Sequence, residues 1–169
     1  MTVSLRRATT DDAGFLLELA ADDDVRPFLG AHTAADRQLV LAEIERSERE
    51  PDAFGRLVIE VDGERVGSVG FHLVNARSRI ARVEGLAVHP HARGRRVADE
   101  AARLVQRLLL KELAYHRLEL EIFAFNERAC AHAERSGWIR EGAKRKAYLR
   151  DGDWLDSVMF ALVREDLDE

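Results

Sequence analysis

Apolar positions along the chain recur at two spacings, and the alternation between those spacings predicts its elements. Val3 to Ala8 reads as a short strand, after which Thr9 or Thr10 can cap a helix opened by Asp11 and Asp12. Ala13, Leu16, Leu17 and Ala20 follow at helical spacing and predict its buried face. A second helix is predicted over Ala34 to Arg49, with Ala35, Leu39, Val40 and Ile44 inward and Pro51 ending it. Arg56 to Val61 and Arg65 to Val74 read as a hairpin around the tight-turn pair Asp62-Gly63. A loop at Asn75 to Ser78 leads to a strand at Ile80 to Val88.

Helical spacing returns from about Val97 to Leu113, where Val97, Ala101, Leu104, Val105 and Leu108 share a face. In Arg117 to Ala124, Leu118, Leu120, Ile122 and Ala124 alternate with Glu119 and Glu121, the period of a strand. Asn126 opens a short helix that Gly137 can stop. Two strands, Ala143 to Leu149 and Leu155 to Leu162, flank the turn Arg150-Asp151-Gly152. The order β-α-α-β-β-β-α-β-α-β-β predicts an α/β fold, a mixed sheet with helices on both faces. Residues 80–124 would supply a parallel strand–helix–strand crossover.

Bulk properties narrow this picture. At 169 residues with no repeat or linker, one domain over 1–169 is expected. The net charge of −5 disfavours nucleic acid as the main partner. Cys130 is the single cysteine, so no intramolecular disulfide and no multi-cysteine metal site can form. The six histidines lack metal-site spacing, and no metal is expected. Without a signal-like or membrane-length apolar run, a cytoplasmic location is expected.

The segment L-A-V-H-P-H-A-R-G-R-R-V-A-D-E-A, Leu86 to Ala101, carries the main chemical signal. An apolar strand ends at a proline, and a Gly/Arg turn opens an amphipathic helix. The first amides of a helix have no internal partner and, with the helix dipole, suit a phosphate. Gly94 permits close backbone approach, while Arg93, Arg95 and Arg96 add positive charge. Alone, the pattern reads as an anion site or as a solvated basic helix start.

The order of elements, the H-P-x-x-R-G segment and the later N-E-R-A…E-R-S-G-W segment together resemble the GNAT superfamily of acyl-CoA-dependent N-acyltransferases, in its RimJ/RimL-like branch. The likeness runs from F-L-G at Phe28 through G-E-R-V-G-S-V-G at Gly63 to Y-L-R-D-G-D-W-L-D at Tyr148. It implies a mostly antiparallel mixed sheet of about seven strands around a β-α-β acyl-CoA-binding core. Acetyl-CoA is the implied donor. The family's turn, Q/R-x-x-G-x-G/A, falls on Arg93, Gly94, Arg95, Arg96, Val97 and Ala98. The resemblance also implies that amides of Leu86, Ala87 and Val88 meet the thioester and pantetheine, and that Asn126 meets the cofactor arm. The turn's usual middle glycine is Arg96 here, so its side chain must turn away from the diphosphate or grip it.

Acyl transfer to an amine needs the amine neutral, an oxyanion stabilised and a proton for the thiolate. An alkylamine has a pKa near 10.4 and an α-amine one near 8, so a base helps at neutral pH. Glu84 is the candidate base. Strand parity places it with Leu86 and Val88, and polyamine acetyltransferases are similar in carrying glutamate two residues before the cofactor-binding segment. The alternative is a strand-edge glutamate paired with Arg82 or another arginine. The family's acid positions fall on Ala133 and Ala129, so Tyr148 is the candidate substitute acid, or else a half-buried aromatic.

Cys130 reads as core rather than as a nucleophile, Lys144, Arg145 and Lys146 as a solvated face or else as charge steering an acidic acceptor, and Trp138 and Trp154 as core or cleft wall. The implied activity is N-acetyl transfer by direct attack on a primary amine, at a protein N-terminus or on a small molecule. A homodimer fits the relatives. An acyl-CoA-binding or regulatory module is the alternative; a nucleotide-binding protein is the weaker third, since no Lys-Ser/Thr pair follows the turn.

Overall fold

The computed structural model describes residues 1–29 and 36–168. The chain runs β1 (Val3–Arg7), α1 (Ala13–Ala21), α2 (Arg37–Arg49), β2 (Phe54–Val61), β3 (Glu64–Asn75) and β4 (Ile80–Val88). It continues with α3 (Val97–Arg107), β5 (Arg117–Phe123), α4 (Glu127–Arg135), β6 (Ile139–Arg150) and β7 (Asp153–Val163). This is the expected order of elements. The seven strands form one sheet in the order β1-β2-β3-β4-β5-β7-β6, antiparallel except where β4 meets β5.

Strand alternation distributes the core over both faces. On β2, Leu57, Ile59 and Val61 join the cluster containing Val97, Ala101 and Val105 of α3. Val58, between them, packs with Leu16 of α1 and Val40 and Ile44 of α2. Helices therefore cover both sides, as the two periodicities require. Both predicted hairpin turns form: Asp62-Gly63 and Asp151-Gly152 each have positive φ at both residues, as a two-residue turn between twisted strands demands.

Local differences from expectation have local causes. Ala34 and Ala35 lie outside the described residues, and α2 begins where the Asp36 carboxylate accepts the Leu39 amide at 2.9 Å. Leu39 points to solvent at 54% exposure, because the buried stripe is Val40, Ile44 and Ser47, one helical step onward. In α1 that stripe is Ala13, Leu16 and Leu19 rather than Leu17 and Ala20. The third helix passes into one π turn at Leu108–Glu112, which lets consecutive Leu109 and Leu110 both be buried. Strand β6 begins four residues earlier than expected. As an edge strand held only by β7, it is polar on both faces and shows no alternation to read.

Asp12 ties β1 to α1. Its carboxylate, 1% exposed, accepts from Arg6 at 2.7 and 2.9 Å, from the Thr9 amide at 2.7 Å and from Arg65 at 3.2 Å. The Arg6 hydrogen bonds hold it well below the usual carboxylate range against the opposing effect of burial. A depressed folded pKa means its stabilisation is complete above the unfolded value near 4 and is lost as pH falls below it. Asp12→Ala should therefore cost about 2 kcal/mol at pH 7. In urea titrations the gap from wild type should close as the pH is lowered from 5 toward 2; a gap independent of pH would contradict the charge account.

Candidate active site

Parallel pairing of β4 with β5 covers only Ile80–Arg82 against Arg117–Glu119. Beyond that point the strands separate, and the sheet opens into a fork. Arg82 stands at its apex, its guanidinium 3.4 Å from Glu121 and 3.8 Å from Glu119. The opening continues into a cleft of ≈ 720 Å³ reaching from Tyr148 to the start of α3.

A bulge in β4 sets the fork's chemistry. Against β3, Gly70 pairs with Glu84 but Ser68 pairs with Ala87, so β4 gains one residue at Gly85, whose φ is +68°. Gly67 permits the close approach here, since a Cβ on it would lie 2.3 Å from the Ala87 carbonyl. The extra residue reverses the parity expected for Glu84. Val83, Leu86 and Val88 pack toward α3, whereas Ala87 packs with Leu19 of α1. Glu84, next to Val83, lies with Arg82 and Ala87 on the α1 side, not with Leu86 and Val88. The His89 amide donates to Val66 of β3 at 2.7 Å, so alternation turns the Val88 and Leu86 amides into the gap.

At the far end of the cleft is the Arg93–Ala98 turn. Gly94 (φ +82°) and Arg96 (φ +60°) are both left-handed, and Arg96 is the N-cap of α3. Left-handed residues alternating with others turn successive amides to one side, and the amides of Val97, Ala98 and Asp99 have no partner within the helix. Its three arginines differ. Arg93 donates to the Val88 carbonyl at 3.3 Å and the Asp24 carbonyl at 3.0 Å, tethering the segment after α1 to the end of β4. Arg95 is exposed. Arg96, 80% exposed, lies 3.3 Å from Asp99. Asn126 caps α4, its Oδ1 accepting the Ala129 amide at 3.2 Å, which leaves its amide NH₂ as a donor at the cleft.

Both predicted catalytic residues line the cleft. Glu84 Oε1 is 3.1 Å from Nδ1 of His72, and its charge also acts on the Arg56 guanidinium, so histidine is one of its partners and an arginine other than Arg82 is near it. The Tyr148 hydroxyl donates to Glu121, and that hydrogen bond, with burial, pushes the phenol up. Glu121 also accepts from Lys144 and from Ser157 Oγ at 3.2 Å. Burial pushes its carboxylate up, but the Lys144 and Tyr148 hydrogen bonds and Arg82 outweigh that and hold it low.

Sequence reasoning passed over Glu121, although a glutamate within an interior strand signals a paired charge. It placed Lys144 on a solvated face, whereas the ammonium is bound by Glu121. Trp138 is buried at the cleft; Trp154, expected in core or wall, is 59% exposed on the β6–β7 hairpin. His132 on α4 is 3.0 Å from Asp99; burial pushes the imidazole down and Asp99 partly offsets this. Cys130 is core, and burial pushes its thiol up. Among the described residues, no group of three His, Cys, Asp or Glu side chains is placed to hold a metal, and no helix is long and apolar enough to cross a membrane.

The chain is similar to known proteins in sequence and in fold. The chain is 28% identical over 119 residues to an uncharacterized prophage-derived N-acetyltransferase of Bacillus subtilis, YokL, covering 70% of this chain and 67% of that one. It is 26% identical over 123 residues to the probable N-acetyltransferase YjcK of the same organism, covering 72% and 67%. Its fold is similar to spermidine N-acetyltransferase from Vibrio cholerae in complex with CoA and spermine (TM-score 0.86, 18% identity, 99% and 98% covered). It is also similar to RimL, a ribosomal L7/L12 α-N-protein acetyltransferase (TM-score 0.84, 19% identity, 96% and 91% covered). At these identities the two structures speak to fold alone. The description "Acetyltransferase (GNAT) domain" matches residues 2–139, well over half the chain. The protein therefore belongs to the GNAT acetyltransferase family and is an N-acetyltransferase whose acyl donor is acetyl-CoA.

Proposed function

We propose that the protein transfers acetyl from acetyl-CoA to a primary amine, on a small molecule or a peptide N-terminus, by direct attack within a ternary complex. The observation that carries this reading is the fork, with strand amides facing its gap and Glu84 on its α1 side. The pyrophosphate would rest on the Arg93–Ala98 turn, against the free amides of Val97 and Ala98 and the charge of Arg95 and Arg96. The pantetheine arm would run past Asn126 into the gap. There the Leu86 and Val88 amides would receive the thioester oxygen as it gains charge, with Ala87 between them.

The amine, approaching from the Glu84 side, forms its bond to the carbonyl carbon and gives up a proton to Glu84, directly or through one water. His72 fixes the direction of that carboxylate. The tetrahedral intermediate then breaks its C–S bond and releases CoA thiolate. A cysteine-like thiol has a pKa near 8.5, below that of an ordinary tyrosine, and Glu121 pushes Tyr148 higher still. Tyr148 stays protonated at neutral pH and offers its hydrogen to Glu121, and the released thiolate is protonated by hydronium or buffer acid, a net favourable step at pH 7 because that lies below the thiol pKa.

Glu84→Gln should reduce kcat about 100-fold at pH 7 while leaving the acetyl-CoA Kd unchanged. The deficit should shrink toward pH 10 as the amine loses its own proton, measured by thiol release across pH. A deficit constant with pH would remove Glu84 as the base, and acetyl-CoA binding without turnover of any amine would favour a binding module.

Arg96 tests the turn twice. Arg96→Gly should raise stability by up to about 1 kcal/mol in urea, because a non-glycine left-handed residue carries that strain. It should weaken acetyl-CoA binding about 10-fold by calorimetry if the guanidinium leaves Asp99 for phosphate. Tighter binding would show that the side chain obstructs the turn.

A further inference from the structure

The α1 side of the cleft carries a continuous row of rings that the donor does not account for. Phe28, in the 3-10 turn after α1, lies 5.9 Å from Phe125, which stacks on Phe123 at 5.7 Å. Phe123 in turn meets the edge of Tyr148 at 5.9 Å. All four line the cleft, yet their burial is graded along the row. Phe123 is buried and Tyr148 half-buried, while Phe28 and Phe125 are each 49% exposed at the outer end. The exposed end is held in place. Arg150 donates to the Leu29 carbonyl at 2.7 Å and the Arg26 carbonyl at 2.6 Å, and lies 5.5 Å over the Phe123 ring.

Charges on the same wall restrict what could lie on those rings. Glu121, beside the row, has its oxygens taken by Lys144, Tyr148 and Ser157, with Arg82 at 3.4 Å. A carboxylate so surrounded has little acceptor capacity left for a substrate ammonium. With Glu121 so occupied, the wall beside Phe123 and Tyr148 holds, among the described residues, no open carboxylate for a second or third positive charge on an acceptor. The wall therefore suits one amine, placed at Glu84, attached to an apolar ring that covers Phe28 and Phe125.

We propose that the acceptor is a monoamine carrying an aromatic or similarly bulky apolar substituent, and that Phe28 and Phe125 are its specificity-determining contacts. This rests on the acetyl-transfer reading above. The shared chemistry is an amine a few bonds from an aromatic ring, which an arylalkylamine or a peptide beginning with phenylalanine supplies equally.

The test is thiol release from acetyl-CoA with 2-phenylethylamine, propylamine, spermidine, and two short peptides beginning with Phe or with Gly. In the wild type, kcat/KM should be at least about 10-fold higher for the ring-bearing member of each pair, and spermidine should rank with propylamine, as burial of a ring against apolar surface requires. The faster of the phenylethylamine and Phe-peptide arms identifies the source. Phe125→Ala and Phe28→Ala should each raise KM for ring-bearing amines about 5-fold or more while leaving propylamine turnover and acetyl-CoA Kd within 2-fold. Both side chains are half-exposed, so the variants should fold, and Phe125→Leu should recover part of the loss. Turnover without ring preference, or a preference for spermidine, would overturn the proposal and leave the acetyl-transfer reading standing. No turnover with any amine would overturn both.

Discussion

The site depends on a pairing that stops. Two adjacent parallel strands would ordinarily continue their hydrogen bonds to the end of the shorter one, yet β4 and β5 part after three residues. What remains is a stretch of strand backbone with polar groups directed into a gap, in the middle of a sheet where such groups are normally satisfied. Leaving them unpaired in an apolar interior would be costly. A cleft open to solvent and to an extended, amide-bearing ligand resolves that conflict. In the proposed reading, the separated strands make a place for the donor's arm without a dedicated loop.

Two features around the fork divide it into sides. The extra residue at Gly85 rotates the strand between Glu84 and Leu86, so that the carboxylate and the following apolar side chains leave on opposite faces. On one face α3 presents the free amides of its first turn; on the other lie Glu84, Glu121, Tyr148 and the aromatic row. At the apex, Arg82 faces Glu119 and Glu121 and leaves Nε without a hydrogen-bond partner among the described residues. The Glu121 cluster is close to charge-balanced because Lys144 reaches it across β7 from the edge strand.

Much of the architecture was legible in the sequence, because its signals are local. Period-two and helical spacings gave the order of elements, and Asp62-Gly63 and Asp151-Gly152 marked turns whose left-handed backbone those residues tolerate. The Arg93–Ala98 turn was legible for the same reason. What was not legible depends on contacts distant in the chain or on register. One bulged residue reversed the face of Glu84, and parity counting has no means of seeing a bulge. His72 reaches Glu84 from a neighbouring strand, and Phe28 meets Phe125 across nearly a hundred residues. The polar strand β6 offered no period, so neither its true start nor the ion pair of Lys144 with Glu121 could be read.

The central claim is that acetyl-CoA occupies the gap between the parted strands and is held there by backbone. Hydrogen exchange resolved to single amides, in the presence and absence of saturating acetyl-CoA, tests it most directly. Exchange should slow selectively at Leu86 and Val88 and at Val97 and Ala98, with Ile80 to Arg82, already paired to β5, little changed. Binding verified by calorimetry without protection at Leu86 and Val88, or with protection confined to another part of the sheet, would contradict the account.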